Sequence, residues 1–271
     1  MCLDVADKEI SLNDASVSAP RRLRVAVAGL GVIGEGAALE LAKAETPYAL
    51  CAALVRDPGK KRAEELKSLR AYSDPAVMLV EHPDVVVDAL PSGEAGRRLI
   101  EAALAQGVCV VTANKQAIAG ALALLHKHAA QNNALLTYAP SVGGGAPRVE
   151  TVQLARGEDA RAKISILTYE AFGQEVDLNA IRVEPLTSER ANAFAKGGGV
   201  WKQLAKITRH ANDQIDARVA FEKVDHDTFF RKVEREGNAL RIVDADGRAF
   251  TCEGKGAGRA PTVGSIFADL E

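Results

Sequence analysis

With 271 residues, 47% of them hydrophobic but only 4% aromatic, the chain can bury a core built chiefly of Ala, Val, Leu and Ile, which excludes wholesale disorder and suits buried parallel strands. Its 34 Lys and Arg stand against 36 Asp and Glu, a formal charge of −2 without the basic excess of a nucleic-acid binder or of a protein held on anionic lipid. Four scattered cysteines, Cys2, Cys51, Cys109 and Cys252, form neither a disulfide framework nor a zinc-ligand pattern, and no apolar run reaches the ~18 residues of a membrane span.

The first 20 residues lack the apolar centre of a signal peptide, so residues 1–21 read as a disordered tail and the protein as unexported and cytoplasmic. From Leu23 an apolar run, a glycine turn and an amphipathic stretch predict a strand at residues 23–28 and a helix at 32–43. Further strands are expected at 48–55, 85–89, 108–112 and 134–138, with helices at 60–69, 96–106 and 117–132. Strands separated by helix-length crossovers imply right-handed βαβ units. The fold class is therefore α/β, a Rossmann-type doubly wound parallel sheet over residues 22–147. Beyond it, 148–172 and 200–212 read as helices, and 217–251 as strand-rich text with a hairpin turn at Asp244-Ala245-Asp246-Gly247. These make a second, smaller α+β domain at 148–253. Gly197-Gly198-Gly199 reads as a flexible linker and Trp201 as core or interface.

Gly29-Leu30-Gly31-Val32-Ile33-Gly34 matches G-x-G-x-x-G, directly after a strand and opening a helix. The first glycine permits a tight turn, the second lets backbone approach a pyrophosphate, and the third allows close packing at a helix N-terminus whose N–H groups face the anion. The alternative is a tight strand-to-helix turn without a ligand. After the next strand, Arg56-Asp57-Pro58-Gly59-Lys60-Lys61 offers cations for a 2′-phosphate and one acid for a 2′-hydroxyl. The order favours NADP, with NAD open.

Three stretches together resemble the homoserine dehydrogenases: Val110-Val111-Thr112-Ala113-Asn114-Lys115, the run from Ser141-Val142-Gly143 to Pro147, and Gly256-Ala257-Gly258-Arg259-Ala260-Pro261-Thr262 with Ala268-Asp269-Leu270. The resemblance implies a nicotinamide cofactor exchanging hydride with a small amino-acid aldehyde or alcohol of the aspartate semialdehyde/homoserine type. It places Leu90, Pro91 and Ser92 in a cofactor-contacting loop and Asn114 and Lys115 at the nicotinamide end. Gly143 and Gly258 fall in segments near the cofactor, with 254–271 returning to its domain. It assigns Lys115, Asp159 and Lys163 to catalysis: Asp159 binds the substrate amine and Lys163 polarises or protonates the carbonyl. Local sequence alone reads Asp159 and Lys163 equally as an exposed i,i+4 ion pair. The implied partners are an amino-acid-like small molecule and a second copy in a homodimer, with no metal, nucleic acid or membrane.

One departure qualifies the resemblance. Only residues 148–158 separate the glycine loop from Asp159, too few for the strands and substrate-recognising loop that the family carries there. A changed substrate, or a catalytically degraded NAD(P)-binding sensor or partner subunit, therefore stand as alternatives.

Overall fold

A computed structural model of the chain describes residues 21–143, 158–234, 237–255 and 258–271. Its larger sheet contains β1 (Leu23–Ala28), β2 (Tyr48–Leu54), β3 (Ala71–Tyr72), β4 (Val85–Asp88), β5 (Cys109–Thr112) and β6 (Leu136–Thr137). They lie in the order β3-β2-β1-β4-β5-β6, every pair parallel. The chain reverses its direction of winding between β1 and β4, which opens a crevice at their C-terminal ends. Around the sheet run α1 (Val32–Leu41), α2 (Pro75–Leu79), α3 (Gly93–Ala105), α4 (Lys115–Ile118), α5 (Leu122–Gln131) and the short α6 (Ala139–Gly143).

Successive strand residues face opposite sides, and both sides are buried, which is why the strands read as unbroken apolar runs. Ala26, Ala28, Val86 and Val110 pack with Leu99, Ile100, Leu104, Ile118 and Leu125 of one helical layer. Val25, Val27, Val87 and Val111 pack on the other side with Ala37, Ala38 and Leu41, and also with Ile266 and Leu270 of the last helix.

The remainder comprises α7 (Glu158–Phe172), β7 (Arg182–Val183), α8 (Ser188–Gly197), β8 (Trp201–Arg209), β9 (Ile215–Lys223), α9 (Thr228–Arg231), β10 (Gly237–Val243), β11 (Ala249–Lys255) and α10 (Arg259–Leu270). β7-β9-β8 form a mixed sheet, and β10 and β11 a separate antiparallel hairpin. Helix α7 joins the two cores. Its Ile166 lies in the cluster under the large sheet, while Ile164, on the other side of the helix, packs with Ile181, Ala217 and Val219. No helix among the described residues is long and apolar enough to cross a membrane.

Four expectations need correction. Of residues 200–212, Trp201–Arg209 form a strand and none a helix: Trp201, Leu204 and Ala205 have helical spacing, but pairing with β9 from Trp201 to Arg209 overrides it. Residues 60–69 hold only the 3₁₀ turn Glu64–Leu66, because the Arg62 guanidinium bonds the carbonyls of Asp57, Pro58 and Lys60 and fixes a turn there. The single helix expected at 117–132 is two, broken where Gly120 takes φ +67°. Gly197-Gly198-Gly199 is the end of α8 and a left-handed corner rather than a linker: Gly198 and Gly199 take φ +62° and +83°, and Asp225 accepts the Val200 N–H at 2.7 Å just beyond. Trp201 stacks on Phe194 at 4.3 Å between ring centroids. Of the helix expected over 148–172, the part before residue 158 lies outside the described residues.

Candidate active site

The three glycines of the first turn differ in what requires them. Gly29 has φ +87°, and a Cβ there would meet the Ala89 carbonyl oxygen at 2.7 Å. A Cβ on Gly34 would fall 1.7 Å from the Gly29 carbonyl oxygen, so α1 can lie this close to the turn only without one. Around Gly31 none of the described residues stands within 4 Å, so no packing among them demands glycine there. Gly31 is also the N-cap of α1 and provides no side-chain cap, so the N–H groups of the first turn face outward beside Val32, which is exposed, and Ile33. An uncapped helix start over open space fits an anionic group such as a pyrophosphate.

From this turn a string of contacts leads across the strand ends. Gly29 abuts Ala89 and Leu90 at the end of β4. Leu90, Pro91 and Ser92 form the β4–α3 loop, and Ser92 accepts the Ala95 N–H to cap α3. The Asn114 side-chain amide donates to the Ser92 carbonyl at 3.0 Å, joining this loop to the one after β5. Lys115 follows as the first residue of α4, and its ammonium lies 2.7 Å from Asp159. Lys163, one turn along α7, reaches the other Asp159 oxygen at 3.2 Å. Both lysine side chains are largely buried, while Asp159 is 42% exposed. The i,i+4 ion pair is thus present but is half of a larger cluster spanning two domains. Burial pulls the Lys163 ammonium below its ordinary pKa, opposed by Asp159 and assisted by the like charge of Lys115.

Arg56, Lys60 and Lys61 are exposed on the turn after β2. Asp57 is used locally, its carboxylate accepting the Gly59 N–H at 2.9 Å. Gly143 ends α6, held near the strand ends because the buried Ser141 hydroxyl donates to the Thr112 carbonyl at 2.7 Å. Gly258, with φ +117°, caps α10, whose Arg259 and Val263 lie over Gly36 of α1.

The motifs around Asp88 and Thr112 give these two residues no role of their own. Asp88 ends β4 fully buried, accepting the Leu90 N–H and the Thr112 hydroxyl, each at 3.0 Å. Thr112 in turn accepts the Asn114 N–H at 3.0 Å. The available signal was a polar residue closing each of two apolar strands, Val85-Val86-Val87-Asp88 and Cys109-Val110-Val111-Thr112, at the sheet edge where ligands bind. Asp269 accepts the Ala139 N–H at 3.0 Å and so fixes the start of α6.

Residues 29–139 match the family "Homoserine dehydrogenase, NAD binding domain", and residues 155–270 match "Homoserine dehydrogenase". The chain belongs to the homoserine dehydrogenase family. As a homoserine dehydrogenase relative it is an NAD(P)-dependent oxidoreductase of the class acting on CH–OH groups, and its larger sheet is the NAD(P)-binding domain. The homoserine dehydrogenase of Bacillus subtilis (strain 168) is 22% identical over 314 residues, which cover 92% of this chain and 72% of that protein. That alignment is longer than the chain, so the relative holds residues absent here. The S. aureus homoserine dehydrogenase crystal structure at pH 8.5 superposes with a TM-score of 0.78 at 23% identity, over 92% of this chain and 75% of that one. A hyperthermophilic archaeal homoserine dehydrogenase in complex with NADPH gives a TM-score of 0.71 at 18% identity, over 92% and 96%. L-aspartate dehydrogenase 1 of Bordetella pertussis (strain Tohama I) is 36% identical over 98 residues, 36% of each chain.

Proposed function

We propose that the protein interconverts a small amino-acid aldehyde and its alcohol, of the aspartate semialdehyde/homoserine type, using NADP in preference to NAD. Residues 22–147 hold the cofactor, 148–253 the substrate, and 254–271 return to the crevice. The observation that carries this reading is the meeting of Lys115, from the cofactor domain, with Asp159 and Lys163, from the second domain, beyond the nicotinamide end of the glycine turn. When bound, the nicotinamide supplies or accepts the hydride. Gly31 and the start of α1 would hold the cofactor pyrophosphate, and Leu90, Pro91, Ser92 and Asn114 would border the nicotinamide, with Gly143 and Gly258 in the neighbouring segments. Asp159, the exposed member of its cluster, binds the substrate ammonium. Its carboxylate is then shared with a new cation, and the two lysines are freed toward the reacting oxygen. Lys163 donates a proton there as negative charge builds, and Lys115 hydrogen-bonds the same oxygen.

The test is a titration of the protein with NADPH and NADH by nicotinamide fluorescence, followed by addition of L-homoserine and NADP in a turnover assay. NADPH binding with homoserine oxidation is the expected result. Binding without turnover would move the assignment to another amino-acid carbonyl or to a sensor. Those alternatives draw support from the extra residues in the Bacillus relative and the likeness to an L-aspartate dehydrogenase.

The cofactor preference has its own prediction. Arg56 is the first charged side chain after β2 and is exposed, while Asp57 spends one carboxylate oxygen on the Gly59 N–H. Arg56→Ala weakens NADPH by about tenfold to a hundredfold, the worth of one or two charge-assisted hydrogen bonds, and changes NADH little. Equal losses for both cofactors would remove Arg56 from 2′-phosphate recognition.

A further inference from the structure

We propose that Asp88 is a positioning residue: its buried carboxylate holds the Leu90–Ser92 loop and the Asn114–Lys115 loop at the separation the cofactor requires. The proposal rests on the assignment of those two loops to the nicotinamide end. Asp88 and Thr112 stand opposite one another in the β4–β5 register, so one carboxylate reaches both loops. One oxygen takes the Leu90 N–H and the other the Thr112 hydroxyl, and Thr112 passes the link on to Asn114, whose amide returns to Ser92. The ring of contacts therefore closes through Asp88.

Helix α3 seals this ring. A Cβ on Gly96 would lie 2.4 Å from the Asn114 amide nitrogen, 2.8 Å from an Asp88 oxygen and 2.9 Å from Ala117. Among the described residues, the groups facing Asp88 are thus Leu90 from its own loop, Thr112 from β5, Asn114 before α4 and Gly96 from α3, none of them charged. Arg97, the next residue on α3, turns away to the carbonyls of Ala117 and Ala119. Burial without a cation pushes the Asp88 carboxyl up to about 6, while the hydrogen bonds from Leu90, Thr112 and Asn114 pull it back. A buried carboxylate without a counter-ion costs stability that an amide or an apolar side chain would not. Its arrangement at the ligand-binding end of the sheet turns that cost to positioning.

The sign of the pH dependence separates positioning from simple structural support. Because the folded-state pKa is raised above the ordinary 3.8, the folded protein holds the proton more tightly than the unfolded chain. The contribution of Asp88 to stability is therefore complete in acid and is lost as pH rises from about 4 through about 6. Positioning runs the other way. A protonated Asp88 must donate its own proton, reversing the Thr112 hydroxyl and slackening the link to Asn114, so cofactor binding weakens as pH falls through about 6.

The experiment is calorimetric titration with NADP and, separately, NAD between about pH 5 and pH 7.5, on the wild-type chain and the Asp88→Asn variant. Subtracting one pH curve from the other removes the titration of the ligand itself. The wild type loses about tenfold in affinity between pH 7 and pH 5, the fall in its ionised fraction, whereas Asp88→Asn is flat and weaker at neutral pH. Parallel curves would overturn the proposal. A wild type that binds neither cofactor would overturn the functional assignment beneath it, and this proposal with it. Gly96→Ala gives a second arm: alanine favours a helix over glycine, so weaker cofactor binding in a folded variant reports displacement of Asn114 and Asp88. Unchanged binding there would equally count against the ring.

Discussion

Replacing Lys163 with methionine lowers turnover by about a hundred- to ten-thousand-fold while cofactor affinity stays within a few-fold, the range lost when a positioned general acid is removed. Methionine keeps the length and apolar stem of the lysine, whose side chain is only 14% exposed, so α7 keeps its packing. The carboxylate of Asp159 keeps its contact with Lys115 and is not stranded. What disappears is the proton delivered to the oxygen as hydride arrives. The pH profile checks the assignment independently. Lys163 acts while it holds its proton, and burial together with Lys115 lowers its pKa below 10.5, so carbonyl reduction fails on the alkaline side earlier than an ordinary lysine would dictate. Asp159→Asn removes the attraction that retains the proton and moves this alkaline fall to lower pH. Lys115→Met removes a like charge and moves it higher. A Lys163→Met enzyme as active as the parent, or three superimposable pH profiles, would sink the proposed acid.

The large sheet was legible because its strands are buried on both faces, so that Val25-Ala26-Val27-Ala28 and Val85-Val86-Val87 announce themselves without reference to partners. The second domain was legible only in part. Its strands are short of buried faces, and β8 carries Lys202, Lys206 and Arg209 among its apolar residues, so its identity comes from β9 and not from its own text. The hairpin β10–β11 was readable because Asp244 and Gly247 mark its turn: Asp244 accepts the Arg248 N–H at 2.8 Å and Gly247 takes φ +80°. Within the candidate site, Lys115, Asp159 and Lys163 are singled out only by the family resemblance, and the contacts that bring them together depend on α7 docking through Ile166, which no local pattern records. Asp88 escaped because a lone acid after three valines carries no spacing rule. Its importance lies in contacts with residues two and 24 or more positions away.

The other large effect concerns two glycines of one motif that answer to different forces. Gly34→Ala markedly lowers the stability of the fold, whereas Gly31→Val leaves the fold intact and severely weakens cofactor binding. At Gly34 the added methyl would sit 1.7 Å from a backbone carbonyl oxygen, a contact no side-chain rotation relieves. The helix must lift from the turn, opening the layer in which Ala37, Ala38 and Leu41 meet Val25 and Val27. The cost exceeds the roughly 1 kcal/mol that alanine gains over glycine in a helix, and overpacking of a tight core adds about 1–3 kcal/mol or more. At Gly31 the surroundings are open and the backbone angles, φ −86° and ψ −163°, are extended, so valine is tolerated by the folded chain. Its branched side chain then stands over the first N–H groups of α1, where a pyrophosphate would lie. The measurements are a thermal melt and an NADPH titration on each variant. Gly31→Val is expected to melt within a few degrees of wild type and to bind NADPH at least about a hundredfold more weakly, the loss of two charge-assisted hydrogen bonds. If instead it bound normally, the glycine turn would be a structural corner alone, and the cofactor would have to enter by another face. If Gly34→Ala folded with unaltered stability, the close approach of α1 to the turn would not be what makes that glycine necessary.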